Sequence, residues 1–326
     1  MIADIRARLP APPPWLHLGI GDDAAVAAPE RGALEILTTD GLVEGVHFDR
    51  RFSSPYDIGW KALAVNISDV AAMGGSPRLA LLSLALPSEL PASDLDSLMD
   101  GFLDLARSSG VTLAGGNITK SSGPLMVDVT VTGSVRPRRV LTRAGARPGD
   151  EIYVTGSPGA AAAGLGWLRG ESTGPERTPE DPGLAACVLR YRRPEPRGRI
   201  GMLAGRNRAA SACIDLSDGL ADGIRQIAEA SGVGAVIDAA ALPISAAARK
   251  WFEQSGLDPV VSALAGGDDY ELLLAVPRRA RGRFATVQRQ AGSVPLTRIG
   301  EITEARELTV RRGDRDEPLP SGFVHF

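Results

Sequence analysis

The sequence predicts an α/β chain of two domains, with strands and helices mixed in both halves. Three observations carry that expectation. The chain has 326 residues, whereas single domains usually run to about 100–200. Runs of alternating apolar and polar residues follow runs with helical spacing on both sides of the midpoint, the pattern of α/β or α+β architecture. Between them, residues 136–150 (RPRRVLTRAGARPGD) are rich in arginine, proline and glycine. Such a stretch reads as a linker and sets domain limits of 1–137 and 138–326.

The elements of the first half come in order. Residues 11–14 include three consecutive prolines and form an irregular lead-in. After the glycine-rich segment GIGDDAAV comes a strand, Glu35–Thr39. Leu63, Ile67 and Val70 recur at helical spacing, which predicts a helix over 55–73 that Gly74-Gly75-Ser76-Pro77 stops. Leu79–Leu86 reads as a strand bounded by Pro87. Ser93 is placed to cap a helix carrying Leu95, Leu98, Phe102 and Leu105 on one face, ended by Gly110. A short strand runs into Ala114-Gly115-Gly116. Residues Leu125–Val135 alternate, with Met126, Asp128, Thr130 and Thr132 on one face and Val127, Val129 and Val131 on the other.

In the second half, Glu151–Val154 reads as a strand and GSPGAAAAGLGWL as a turn into a helix. Residues 170–183 read as a loose excursion. A strand at Ser211–Leu216 leads into a helix carrying Leu220, Ile224 and Ile227, with Asp218 in its first turn. Further strands are expected at 234–238, 271–276 and 296–301, with a helix near 278–291.

Composition removes several function classes. Net charge is -3, which does not suggest a binder of nucleic acid or of a membrane surface, since either would need a basic face. No apolar stretch suits a signal peptide or a membrane span, which points to the cytoplasm. Cys187 and Cys213 lie in apolar surroundings without a C-x-x-C pair, as buried thiols in a reducing compartment do. His17, His47 and His325 are scattered, which gives zinc chemistry no support.

What stands out is a set of aspartates in glycine-rich or apolar settings. They are Asp22 and Asp23 in GIGDDAAV, Asp40 in LTTDGLV, Asp69 in NISDVAAMGG, Asp215 and Asp218 in CIDLSDGLADG, and Asp268 and Asp269 in AGGDDYELLL. One aspartate before glycine is most often a turn or cap residue. So many at element ends suggest a shared site, since α/β folds build sites there. Like charges about 4 Å apart repel by roughly 4 kcal/mol at an effective dielectric near 20, so a converging set needs cations. Oxygen-only ligation from distant segments points to Mg²⁺ shared with phosphates. Gly115-Gly116-Asn117 offers backbone N–H groups to an anion, and Arg143 offers a charge. The P-loop, H-R-D, D-F-G and G-x-S-x-G patterns are all absent.

GIGDDAAV, TTDGLVEGVHF, WKALAVNISDVAAMGGSP, AGGNITKS, VLTRAGARPGD, IDLSDGLADGI and GGDDYEL, in this order, resemble the thiamine-monophosphate kinase family from about residue 18 to the C-terminus. The resemblance implies a two-domain aminoimidazole ribonucleotide synthetase-like fold. Its N-terminal mixed sheet pairs across a homodimer, and an α/β C-terminal domain completes the substrate site. It implies ATP-dependent phosphorylation of thiamine monophosphate to thiamine diphosphate. By the family pattern, Asp23, Thr38, Thr39, Asp40, Asp69, Asn117, Asp215 and Asp218 resemble Mg²⁺ ligands. Gly116, Asn117, Arg143 and Ser217 resemble nucleotide contacts, while His47, Asp268 and Phe323 resemble thiamine-phosphate contacts. Asp40, Asp69, Asp215 and Arg143 would bear most directly on catalysis. Two positions depart from the pattern. Asn117 stands where many members carry aspartate, and Asp268 where some carry glutamate. The alternatives are a related ATP-dependent synthetase of the same fold, or a silent binder of nucleotide or thiamine phosphate.

Overall fold

The computed structural model describes residues 2–170, 174 and 177–321, and Phe323, a residue expected at the substrate, lies outside them. The chain divides into two compact units. The first comprises residues 1–70, 76–137 and 173–177, and the second residues 71–75, 138–172 and 178–326.

The first unit opens with α1 (Ile2–Ala7) and a small ribbon of β1 (Leu16–Leu18) and β2 (Val26–Ala27). Then come β3 (Leu34–Val43), α2 (Pro55–Ala72), β4 (Ser76–Pro87), α3 (Ala92–Ser109), β5 (Thr112–Ser121) and β6 (Met126–Val135). The four long strands form one sheet in the order β3-β6-β4-β5. Only β4 and β5 run parallel, and α3 is the crossover between them, as a parallel pair requires. The expected alternation of β6 is what the sheet uses. Val127, Val129 and Val131 are fully buried, while Met126 is 43% exposed. On the opposite face from those valines the sheet also leaves Leu37 71% and Leu81 38% exposed.

Strand β3 runs past Asp40 to Val43, because β6 supplies ladder partners as far as Met126. Asp40 therefore lies inside a strand and not just after one. Ser93 does not cap α3. Pro91 holds the N-cap position with no side-chain bond, while Gly110 ends the helix in the left-handed conformation as expected.

The second unit contains β7 (Glu151–Thr155), α4 (Ala160–Gly170), α5 (Pro182–Arg192), α6 (Gly198–Asn207), β8 (Ala212–Asp215), α7 (Leu220–Ser231) and β9 (Gly234–Asp238). It continues with α8 (Ala246–Gln254), α9 (Pro259–Ala265), β10 (Leu272–Val276), α10 (Arg281–Gln290), β11 (Leu296–Thr303), β12 (Leu308–Arg312) and β13 (Arg315–Pro318). Its seven-stranded sheet has the order β13-β12-β9-β11-β7-β10-β8. One core cluster joins the sheet to Leu220, Ile224 and Ile227 of α7 and Leu264 of α9. Another joins it to Ile200 and Ala204 of α6 and Phe284 and Val287 of α10. Coverage on both sides explains why β10 (LLLAV) is apolar throughout and fully buried. Asp218 falls outside α7, whose N-cap is Gly219, so it is neither in the first turn nor a cap. Among the described residues no helix is long and apolar enough to cross a membrane.

Candidate active site

In the first unit the cross-strand register sorts the expected residues by face. Thr38 and Asp40 alternate onto the face that packs against α2, where the Thr38 hydroxyl donates to the Asp69 carboxylate. Thr39 points the other way, and its hydroxyl lies 3.1 Å from that of Thr130 on β6. On that second face Gly41, Asp128, Ser83 and Asn117 form one row across all four strands. Asp128 was not among the expected site residues. Its signal was available, since a carboxylate on the polar face of an alternating strand has no core role.

A cleft of about 1000 Å³ opens beside this row, lined by Gly21, Asp22, Asp23, Gly116, Asn117 and Asp128 among others. It brings the glycine-rich segment after β1 against the bulge of β5. The bulge arises because β4 passes from Ala80 to Leu81 while β5 passes from Leu113 to Gly115. Gly116 is fixed by packing: a Cβ there would lie 1.8 Å from the Leu82 carbonyl oxygen. Asp23 is exposed, and its backbone N–H donates to the Asp22 carboxylate at 2.9 Å. His47 sits in the turn after β3, where its Nδ1 accepts from the Val43 N–H at 3.1 Å.

In the second unit Asp215 ends β8 and is buried, and Ser217 and Asp218 follow in the loop before α7. The GGDDYEL segment lies directly against them. The Asp268 N–H donates to the Ser217 carbonyl at 2.7 Å, the Tyr270 N–H to the Leu216 carbonyl at 2.9 Å, and the Leu216 N–H to the Glu271 carbonyl at 2.8 Å. Asp268 and Tyr270 both adopt left-handed backbone, with φ of 67° and 49°. Arg143 is exposed and donates to Gln226 Oε1 at 2.5 Å. The Cys213 thiol, two residues before Asp215, is pushed far up by burial and then by that carboxylate, which leaves it inert near neutral pH.

The expected metal ligands thus fall into separate groups. Thr38, Asp40 and Asp69 stand on the α2 side of the first sheet. Asp23 and Asn117 line its cleft, and Thr39 lies on the same face as Asn117. Asp215 and Asp218 stand together in the second unit. Among the described residues no three acidic, histidine or cysteine side chains already form a cage for an ion. The donors are all oxygens, which suits Mg²⁺, an ion that completes its shell with waters and phosphates.

Residues 21–135 match the model for AIR synthase related protein, N-terminal domain, and residues 147–313 the model for AIR synthase related protein, C-terminal domain. The thiamine-monophosphate kinase of Escherichia coli (strain K12) is 43% identical over 314 residues, covering 95% of this chain and 92% of its own. The chain belongs to the thiamine-monophosphate kinase family. The crystal structure of thiamine-monophosphate kinase from Stenotrophomonas maltophilia K279a matches with a TM-score of 0.84 and 36% identity, over 95% of this chain and 94% of its own. AaThiL complexed with AMPPCP and TMP matches with a TM-score of 0.78 and 33% identity, over 92% of this chain and 89% of its own. The two-domain fold that the resemblance implied is therefore the fold of the family.

Proposed function

We propose that this chain transfers the γ-phosphoryl group of ATP to the phosphate of thiamine monophosphate, giving thiamine diphosphate and ADP. The observation that carries the reading is membership of the family over nearly the whole chain, together with a relative of the same fold complexed with AMPPCP and TMP. The local geometry supports it. The cleft offers the glycine-lined approach and the carboxylates that a metal-bound polyphosphate needs.

The acceptor is itself a phosphate, largely ionised near neutral pH because its second pKa is about 6. No general base is needed, and the transfer is direct and in line. Asp23 and Asn117 in the cleft, Thr38, Thr39, Asp40 and Asp69 around β3, and Asp215 and Asp218 in the second unit would hold Mg²⁺. When bound, the metal supplies neutralisation of two polyanions that otherwise repel each other. Gly116, Arg143 and Ser217 orient the nucleotide. His47, Asp268 and Phe323 orient thiamine monophosphate, and alignment is the protein's main contribution.

The chain acts as a homodimer in the cytoplasm. Support for the dimer comes from the uncovered sheet face carrying Leu37, Leu81 and Met126. Two buried free thiols suit a reducing compartment.

A coupled ADP-release assay with thiamine monophosphate, with and without Mg²⁺, tests the function. Turnover that needs both supports it; binding without turnover in the presence of Mg²⁺ would establish a silent binder. Asp40→Ala and Asp215→Ala should each lower kcat by more than about 10²–10³-fold. Near-normal turnover in either variant, or a phosphorylated enzyme trapped during the reaction, would overturn the mechanism.

A further inference from the structure

Two carboxylates of the GGDDYEL segment point into the second unit, and the reading above gives neither a task. Asp269 is fully buried, and Glu271 is 1% exposed. Asp269 Oδ2 accepts from the Gly159 N–H at 2.6 Å, and Oδ1 from the Ala161 N–H at 3.0 Å. It therefore satisfies orphan donors at the N-terminus of α4. Glu271 is held more heavily. Arg197 donates to it through Nε and Nη2, both at 2.6 Å, Arg190 through Nη2 at 3.0 Å, and the Thr155 hydroxyl adds a further bond. Room for that carboxylate exists only because residue 156 is glycine: a Cβ there would lie 2.0 Å from Glu271 Oε1, and its φ is +62°.

These anchors alternate with the two left-handed residues, Asp268 and Tyr270. Left-handed backbone is uncommon outside glycine, milder for aspartate than for tyrosine, and such strain persists only where the surroundings over-determine it. Here they do. Each strained residue is followed by a carboxylate fixed to another element, and each donates its own N–H to the loop after Asp215. The Tyr270 hydroxyl also donates to Asp268 Oδ1 at 3.3 Å.

We propose that Asp269 and Glu271 are positioning residues that clamp the 268–270 turn in its left-handed form and so fix where Asp268 meets the phosphorylated acceptor. The inference rests on the proposed role of Asp268 as an acceptor contact. The clamp also couples that contact to α4, α5 and the start of α6, which supply Gly159, Ala161, Arg190 and Arg197.

Asp269→Asn, Glu271→Gln, Thr155→Val and Asp268→Ala in the full chain test it. The readouts are KM for thiamine monophosphate, KM for ATP, kcat, melting temperature and amide exchange of the 266–272 segment. Asp269→Asn should raise KM for thiamine monophosphate about tenfold, with kcat and KM for ATP within about twofold. It should also speed exchange of that segment by about tenfold with the rest of the chain unchanged. Glu271→Gln should do the same; should it fail to fold, Thr155→Val, which removes one neutral donor, carries that half with a smaller effect in the same direction. Unchanged exchange and unchanged KM in folded Asp269→Asn would overturn the clamp. So would a fall in melting temperature alone, which is what a merely structural role gives. If Asp268→Ala leaves KM for thiamine monophosphate unchanged while Asp269→Asn still frees the segment, the acceptor contact is wrong and the clamp on the turn stands.

Discussion

The chain contains two Asp-Asp pairs that come directly after glycine, and the fold uses them in opposite ways. Asp22 and Asp23 lie exposed in a loop, the Asp22 carboxylate accepting from the Asp23 N–H, and both open to a cleft. Asp268 and Asp269 are split by burial: the first is half-buried at the loop after Asp215, and the second is sealed inside as a helix anchor. The residues after each pair decide the difference. Ala-Ala-Val leads into a two-residue strand, while Tyr-Glu-Leu-Leu-Leu leads into a strand buried on both faces. A strand that enters the core takes its neighbours' side chains with it every second residue.

Four substitutions or titrations sharpen or break this contrast. The largest expected effect is on activity at the exposed pair. Asp23→Ala should lower kcat/KM by about 10²–10³-fold, some 3–4 kcal/mol of transition-state stabilisation, with the melting temperature unmoved. Loss of stability instead would erase the distinction between the pairs. Next comes the buried pair. Asp269→Ala leaves the Gly159 and Ala161 amides without their acceptor and should cost about 2–3 kcal/mol in urea unfolding. A change below about 0.5 kcal/mol would show that water or a backbone shift replaces the anchor.

The third is a pH dependence. Burial pushes the Asp269 carboxyl from 3.8 up to about 7, against the pull of the two amide donors and with a further upward push from Glu271. A raised acid pKa means the native state binds its proton more tightly than the unfolded chain does. The associated stability is fully present below the ordinary value and is lost as pH rises through about 7. Urea midpoints measured from about pH 4 to 8 should therefore fall more steeply in the parent chain than in Asp269→Asn. Parallel curves would mean the carboxyl is ionised throughout. The smallest effect belongs to Asp22→Ala, which should change stability by less than about 0.5 kcal/mol, as exposed positions do; calorimetry checks it.

Much of the first unit was legible from residue spacing alone. Strand β6 announces itself by alternation, α2 by Leu63, Ile67 and Val70, and the end of α3 by Gly110. Helices α5 and α9 were missed although each begins with aspartate and then proline, at 181–182 and 258–259. In both, the aspartate caps backbone N–H groups while proline fills the first turn. The β12–β13 hairpin was missed for a different reason: β13 is exposed at every position and carries no apolar signal. Asp269 and Glu271 were visible as letters but not as anchors, because the amides, guanidiniums and hydroxyl they meet lie 74 to 116 positions away along the chain. The motifs named the family. Which side of a sheet each aspartate faces came only from the strand register.

The bulge that seats Gly116 against Leu82 has a practical corollary for anyone reshaping ligand choice. With the carbonyl 1.8 Å from any added carbon, that position is closed to diversification, and a library built on it would sample broken sheets instead of altered preferences. The productive letters are Ser83 and Asp128 in the neighbouring row, where side chains can change length and charge while the hydrogen-bonded ladder beneath them stays intact.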